Sequence, residues 1–103
     1  MEKLRRLELH EILKDILGSN NVYFQPPESI KIQYPCIIYN RQRLYKKNAN
    51  DRMYIHKTAY QVTFIDRDID NDIKNKLLEL PFCSYDRYYP ADGLHHDVYT
   101  IYY

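Results

Sequence analysis

Several residue types are scarce in this sequence, and each shortage argues against a class of protein. The 103 residues include only 2 glycines and no tryptophan. With so little glycine, the chain has no phosphate-binding loop of the kind that holds nucleotides. No apolar run approaches the roughly 18 residues that a membrane-spanning helix needs. We therefore expect a protein that is made in the cytoplasm, contacts no membrane and uses no cofactor.

The sequence also contains few cysteines and has almost no net charge. The 2 cysteines, Cys36 and Cys83, both lie in apolar runs, which predicts buried free thiols in a reducing compartment. Lysine and arginine total 15 and the acidic residues total 14, so the formal net charge is +1. Proteins that bind free nucleic acid usually carry a strong basic excess. The charge balance therefore argues against a dedicated nucleic-acid binder.

Tyrosine, by contrast, is abundant. There are 12 tyrosines and 3 phenylalanines. Tyrosine combines an apolar ring with a polar hydroxyl group, and it is enriched both in β-strands and at protein–protein interfaces. Either role is open for a single tyrosine. The set as a whole favours a protein that meets other subunits.

Apolar spacing predicts an α+β fold. Helices are expected over residues 3–17 and 69–80, with Asp68 or Asp70 capping the second helix. Residues 90–93 are expected to form a turn. Strands are expected over residues 22–24, 35–45, 54–66, 82–88 and 96–103. The order α-β-β-β-α-β-β predicts one domain, residues 1–103, with two helices packed on one face of a mostly antiparallel sheet.

The second and third predicted strands form a long β-hairpin with a polar tip. We expect its basic side chains to face a neighbouring subunit or the lumen of an assembly. An alternative is a groove in which single-stranded nucleic acid stacks between cations and an aromatic ring. The basic residues concerned are Arg41, Arg43, Lys46, Lys47 and Arg52.

No motif in the sequence predicts catalysis or metal binding. His95, His96 and Asp97 form the densest group of metal-ligand residue types, but adjacent strand residues point to opposite faces. Two ligands on one face do not define a metal site. Asp66 and Asp68 lie where a helix is expected to begin, so capping explains them better than acid–base chemistry. We therefore expect no enzyme activity.

Six runs taken together resemble a known family. Their order and spacing are similar to those of small tail-completion, or tail-terminator, proteins of long-tailed phages and prophages. The resemblance extends from the first helix to the last tyrosine. The runs are Val22–Pro27, Tyr34–Tyr39, Tyr60–Asp66, Leu77–Pro81, Asp92–His96 and Tyr99–Tyr103.

This resemblance implies a structural virion protein that assembles in the host cytoplasm. Such subunits form a ring, commonly a hexamer, at the head-proximal end of the tail tube. The ring stops tube polymerisation, contacts the tail tube protein, and docks to a head-closure or connector protein in the neck. DNA passes through the ring transiently and without sequence-specific contacts. The family has no catalytic, cofactor or metal residues.

The residues suggest where such subunits would meet. The last predicted strand ends in two tyrosines, and a strand edge can extend the sheet of a neighbour through backbone hydrogen bonds. Our hypothesis is that four tyrosines lie at subunit contacts: Tyr45, Tyr54, Tyr102 and Tyr103.

Three other functions stay open. The chain fits another connector or minor structural protein of the same head-to-tail module. A small metal-independent ribonuclease toxin would use residues such as His96 and Arg87, although such toxins are usually strongly basic. A general adaptor domain is the third alternative.

Overall fold

The architecture comes from a computed structural model that describes residues 2–45 and 57–103. These residues form two helices and one five-stranded sheet in the predicted order α-β-β-β-α-β-β. The prediction of an α+β fold is confirmed. The elements are α1 (Glu2–Leu17), β1 (Val22–Phe24), β2 (Cys36–Tyr45), β3 (Lys57–Asp66), α2 (Ile73–Leu78), β4 (Cys83–Ala91) and β5 (Leu94–Tyr102).

The strand order across the sheet is β1-β2-β3-β5-β4. β1 runs parallel to β2, and every other neighbouring pair is antiparallel. β2 and β3 pair from Cys36 opposite Ile65 to Tyr45 opposite Lys57, which confirms the long hairpin. β5 lies between β3 and β4, so the two edges of the sheet are β1 and β4.

Both helices pack on the same face of the sheet. Leu9, Leu13 and Leu17 recur every four residues along α1, so they form one stripe, and all three are buried. Leu77 of α2 is buried in the same cluster. The sheet side of this core comes from Val22, Ile37, Tyr39, Tyr60, Val62, Phe64, Tyr99 and Ile101.

Neither helix that the structure describes is long and apolar enough to cross a membrane.

Three tyrosines belong to this core. Tyr39, Tyr60 and Tyr99 are each at most 1% exposed, on neighbouring strands β2, β3 and β5. The rings of Tyr39 and Tyr60 meet edge-on, with centroids 5.9 Å apart. The hydroxyl group of Tyr39 is hydrogen-bonded to His10 Nδ1 at 2.7 Å, and that of Tyr99 donates to the Lys74 carbonyl at 2.9 Å. For these three residues, the tyrosine excess reflects core packing.

The second helix is shorter than predicted. α2 begins at Ile73, four residues later than expected, and the prediction that Asp68 or Asp70 caps it is wrong. The Asp68 carboxylate instead accepts from the Asp70 N–H at 2.9 Å, and the Asn71 side chain accepts from the Ile73 N–H at 2.9 Å. These local bonds hold the segment in turns, because short polar side chains compete with helical hydrogen bonding.

The last two strands differ from their predicted bounds. β4 continues through Pro90 to Ala91, and β5 already begins at Leu94. The turn consists of Asp92 and Gly93, with φ angles of 55° and 74°. A two-residue hairpin turn with positive φ at both positions favours Asp-Gly and matches the strand twist. Pro90 is tolerated in β4 because an edge strand can do without one backbone donor.

Candidate subunit interface

The edge strand β4 is the most exposed regular element of the described chain. Seven consecutive residues, from Ser84 to Pro90, are exposed. They include Tyr85, Tyr88 and Tyr89, whose exposed fractions are 45%, 41% and 38%. β4 contains no valine, isoleucine or leucine. Its outer edge pairs with no residue that the structure describes.

A β-bulge determines where these tyrosines point. The register between β4 and β5 shifts between Tyr85 and Arg87, so Asp86 has no partner on β5. Tyr85 and Tyr88 therefore lie on the helix side of the sheet, opposite Tyr99 and Asp97, respectively. Bulges and prolines also blunt the edge of a sheet. We therefore expect β4 to contact a partner mainly through its side chains.

Hydrogen bonds hold both helix-side tyrosines. The Tyr85 hydroxyl group donates to Asp97 Oδ1 at 2.8 Å. The Tyr88 hydroxyl group is bonded to His95 Nδ1 at 2.6 Å, and the two rings stack with centroids 5.9 Å apart. Burial, followed by the hydrogen bond to Asp97, raises the pKa of Tyr85 to about 12. Tyr85 is therefore a neutral hydrogen-bond donor at physiological pH.

A pocket opens beside Tyr85. Its volume is about 250 Å³, and its walls combine the apolar side chain of Leu78 with the carboxylate of Asp97. Tyr85 and Tyr99 meet edge-on in this pocket, with centroids 5.3 Å apart and an angle of 80°. The remaining lining residues are Lys74 and Asn75 of α2.

Two apolar side chains at the junction of α2 and β4 are also exposed, and the first of them lines the pocket. Leu78 at the end of α2 is 45% exposed, and Phe82, just before β4, is 64% exposed. Phe82 has a φ of 58°, a conformation that bulky side chains rarely adopt. Leu78, Phe82, Tyr85 and Tyr88 are hereafter called the α2–β4 surface.

Arg87 and His96, the two residues that a ribonuclease toxin would use, lie on the other face of the β4–β5 hairpin. His96 stacks on Tyr89 with centroids 4.6 Å apart, and the Arg87 guanidinium lies 5.8 Å from the Tyr89 ring centroid. Arg87 is also paired with Asp86 at 2.9 Å. The structure therefore brings Arg87 and His96 near one tyrosine, but the arginine charge is already balanced by a carboxylate.

Tyr102 and Tyr103 lie at the end of the chain and are both half-buried. Tyr102 is opposite Ala59 of β3, and its N–H donates to the Phe82 carbonyl at 3.1 Å. The Tyr103 hydroxyl group donates to Glu8 Oε1 of α1 at 3.0 Å. Because β5 lies inside the sheet, its edge cannot extend the sheet of a neighbour, and that argument for these two tyrosines was wrong. Their role at subunit contacts stays a prediction.

The predicted hairpin residues are only partly described. Arg41 is exposed, and its guanidinium lies 6.0 Å from the Phe24 ring centroid. Arg6 of α1 lies 4.3 Å from the same ring, so cations gather at the β1–β2 edge. Arg43 and Tyr45 are in β2, where they pair with Ala59 and Lys57, respectively. Four predicted residues lie outside the described residues: Lys46, Lys47, Arg52 and Tyr54.

The two cysteines are free thiols with different surroundings. Cys36 is fully buried, as predicted, whereas Cys83 is only half-buried. Burial, with a smaller contribution from Asp66, raises the pKa of Cys36 to about 12. Burial also raises the pKa of Cys83. Both thiols are therefore protonated at neutral pH and are poor nucleophiles.

The group His95, His96 and Asp97 is divided by the sheet. His95 and Asp97 are on the helix side with Tyr88 and Tyr85, whereas His96 stacks on Tyr89 on the opposite face. Within residues 2–45 and 57–103, no three His, Cys, Asp or Glu side chains cluster as metal ligands.

Comparison of the chain with protein-family models, curated proteins and solved structures finds no match. The geometry of the chain therefore has to support any functional proposal. Sequence reasoning placed the interface on the hairpin and the last strand, which stays a prediction, and it did not single out the exposed strand β4. The absence of valine, isoleucine and leucine from Cys83 to Ala91 was the available signal, because buried central strands are rich in them.

Proposed function

We propose that this protein is a structural subunit at the head-to-tail junction of a long-tailed phage or prophage. Copies of it form a ring, with a hexamer as the expected size, that caps the tail tube. The ring contacts the tail tube protein on one side and a head-closure or connector protein on the other. The protein acts through these contacts and not through catalysis.

The exposed α2–β4 surface is the observation that supports this proposal most directly. Its four apolar or aromatic side chains are each between 41% and 64% exposed. Several large apolar side chains exposed on neighbouring elements are typical of protein–protein contacts, and aromatic side chains contribute strongly to such contacts. A subunit that works only inside an assembly is expected to carry such a surface.

The arrangement of sheet edges is also compatible with a ring. The basic β1–β2 edge and the aromatic β4 edge lie at opposite ends of the strand order. When one edge of a subunit meets the other edge of the next subunit, the contact is head-to-tail. Such contacts close into a ring if the rotation between subunits is suitable. The ordered runs that resemble tail-terminator proteins are the reason that we propose this particular assembly.

Deletion of the gene in the phage or prophage genome tests the proposal. We expect DNA-filled heads without tails and free tail tubes of uncontrolled length in electron micrographs of the lysate. Supplying the wild-type protein from a plasmid should restore complete particles. Complete particles after deletion would refute the proposal.

The ribonuclease alternative makes a different prediction. Expression of the protein in a bacterium should leave growth unchanged if its role is structural. Growth arrest that is relieved by His96→Ala or Arg87→Ala would instead support a toxin. Under our proposal, the wild type, His96→Ala and Arg87→Ala should all leave bacterial growth unchanged.

A further inference from the structure

A hydrogen bond between a buried tyrosine and a half-buried histidine joins α1 to the sheet. Tyr39 of β2 is fully buried, and its hydroxyl oxygen lies 2.7 Å from Nδ1 of His10 on α1. The two rings are also in contact, with centroids 5.6 Å apart. His10 directly follows Leu9, which belongs to the buried stripe of α1. A change in this hydrogen bond therefore acts where the helix packs on the sheet.

The direction of the hydrogen bond follows from the surroundings of Tyr39. Burial raises the pKa of its hydroxyl group, although Arg6 acts in the opposite direction as a hydrogen-bond donor and as a positive charge. The hydroxyl group is therefore neutral at physiological pH and keeps its proton. A guanidinium group has no acceptor atom, so Arg6 cannot receive that proton. His10 Nδ1 is the acceptor, which places the ring proton of neutral His10 on Nε2.

Protonation of His10 removes this acceptor. Both ring nitrogens of a histidinium ion carry a proton, so Nδ1 becomes a donor. The Tyr39 oxygen then faces two cationic donors, His10 and Arg6. No other described residue is hydrogen-bonded to this hydroxyl group, so its own proton is left without an acceptor. An unpaired buried hydroxyl group and two neighbouring cations both disfavour the closed arrangement.

The charged groups of α1 favour the neutral form of His10. Burial lowers its pKa below 6.5, and the positive charges of Lys14 and Arg6 act in the same direction. The carboxylate of Glu11 acts in the opposite direction and is outweighed. His10 therefore gains its proton less readily in the folded chain than in an unfolded one.

The sheet side of this contact consists of aromatic rings. Tyr39 and Tyr60 contribute the titratable hydroxyl groups of β2 and β3, and their rings meet edge-on. β1 contributes the ring of Phe24, whose centroid lies 4.9 Å from that of Tyr39. None of these three side chains carries a negative charge while the hydroxyl groups are protonated. They therefore offer no compensation for a positive charge on His10.

We propose that the hydrogen bond between His10 and Tyr39 is an acid-sensitive latch, which holds α1 on the sheet while His10 is neutral and loosens α1 when His10 is protonated. The latch is a property of the monomer and does not depend on the phage role. Once α1 has opened, His10 regains its ordinary pKa of 6.5, so the open form binds the proton more readily. Opening is therefore favoured as the pH falls below 6.5.

The tautomer of His10 tests the geometry of the latch. Long-range ¹⁵N–¹H NMR spectra of the full-length protein at pH 7.5 distinguish a protonated ring nitrogen from an acceptor nitrogen. We expect the proton on Nε2 and an acceptor at Nδ1. A proton on Nδ1 at this pH would overturn the proposal, because the Tyr39 oxygen would already be the acceptor.

Amide hydrogen exchange tests the release of α1. After correction for intrinsic exchange rates, the opening constants of the Leu9 and Leu13 amides should rise at least about threefold between pH 7.5 and 5, relative to that of Val98 in β5. His10→Gln should abolish this rise, because glutamine accepts from the Tyr39 hydroxyl group and does not titrate. This variant keeps the acceptor and should therefore fold.

Glu11→Gln is the matched control on the same helix. It removes an exposed carboxylate that also begins to titrate near pH 5, and it should retain the rise seen in wild type. An equal rise in wild type and His10→Gln would overturn the latch. An equal rise at Leu13 and Val98 would also overturn it, since acid would then loosen the whole fold. Neither result bears on gene deletion, which tests the proposed function separately.

Discussion

At the scale of single residues, the tyrosines fall into two groups, one buried in the core and one exposed at the surface. Tyr39 and Tyr99 are buried, and each hydroxyl group has a hydrogen-bond partner. Burial is the main cause that raises the pKa of both. Tyr85 and Tyr88 keep their rings exposed while their hydroxyl groups are anchored to β5. A tyrosine held in this way presents a rigid ring, so it loses little entropy when a partner binds.

His10 gives the residue-scale prediction. Burial and the nearby charge of Lys14 lower its pKa below 6.5, although Glu11 acts in the opposite direction. The unfolded chain therefore binds a proton more readily than the folded chain. The contribution of His10 to stability is present above pH 6.5 and is lost as the pH falls through its folded pKa. We expect His10→Gln to flatten the pH dependence of the unfolding free energy between about pH 7.5 and 5.

Urea unfolding at a series of pH values measures this dependence. NMR titration of the His10 ring provides the control, because it reports the folded pKa directly. A midpoint above 6.5, or equal slopes for wild type and variant, would contradict the prediction.

At the scale of elements, helix α1 buries the leucines that recur every four residues, because they lie on the face of the helix that meets the sheet. Leu9, Leu13 and Leu17 pack on the sheet, whereas Leu4 and Leu7 extend the apolar pattern to the outward side and stay exposed. Glu11 and Lys14 form a 3.4 Å ion pair. Such exposed pairs contribute little to stability, so packing of the leucine stripe holds α1 in place.

Two substitutions in α1 test this account. Leu13 is fully buried, so we expect Leu13→Ala to lower the unfolding free energy by about 2–5 kcal/mol. Leu4 is 61% exposed on the same helix, and Leu4→Ala should change stability by no more than about 0.5 kcal/mol. Chemical denaturation of both variants provides the comparison, and similar losses would show that α1 does not pack as described.

At the scale of the whole molecule, the two sheet edges have different chemistry. β1 spans three residues beside clustered cations, whereas β4 spans nine residues with exposed aromatic rings. Different edges favour head-to-tail assembly, because a two-fold contact would need one self-complementary surface. Phe82 adds to this difference, since an exposed ring is held in a left-handed backbone conformation. Such strain is often retained at functional positions.

Phe82→Asn tests whether the ring serves assembly. Asparagine tolerates positive φ, and the left-handed conformation costs a bulky residue about 1–2 kcal/mol. We therefore expect the monomer to be as stable as wild type or about 1 kcal/mol more stable, while self-association weakens. Leu4→Gln, which alters an equally exposed side chain on α1, should leave association unchanged. A strongly destabilised monomer with normal association would assign Phe82 to the fold instead.

The sequence by itself determined the order of elements, because apolar spacing of four residues in helices and two in strands is a local property. It predicted α1, the β2–β3 hairpin and the α+β class. Residues 69–72 were wrongly predicted to be helical, because local hydrogen bonds to the side chains of Asp68 and Asn71 compete with helix formation.

Tertiary structure alone decided the strand order, and hence that β5 is internal while β4 is an edge. It also decided which tyrosines are buried and that Asp97 meets Tyr85. These outcomes depend on pairing between distant segments, which a local pattern does not encode.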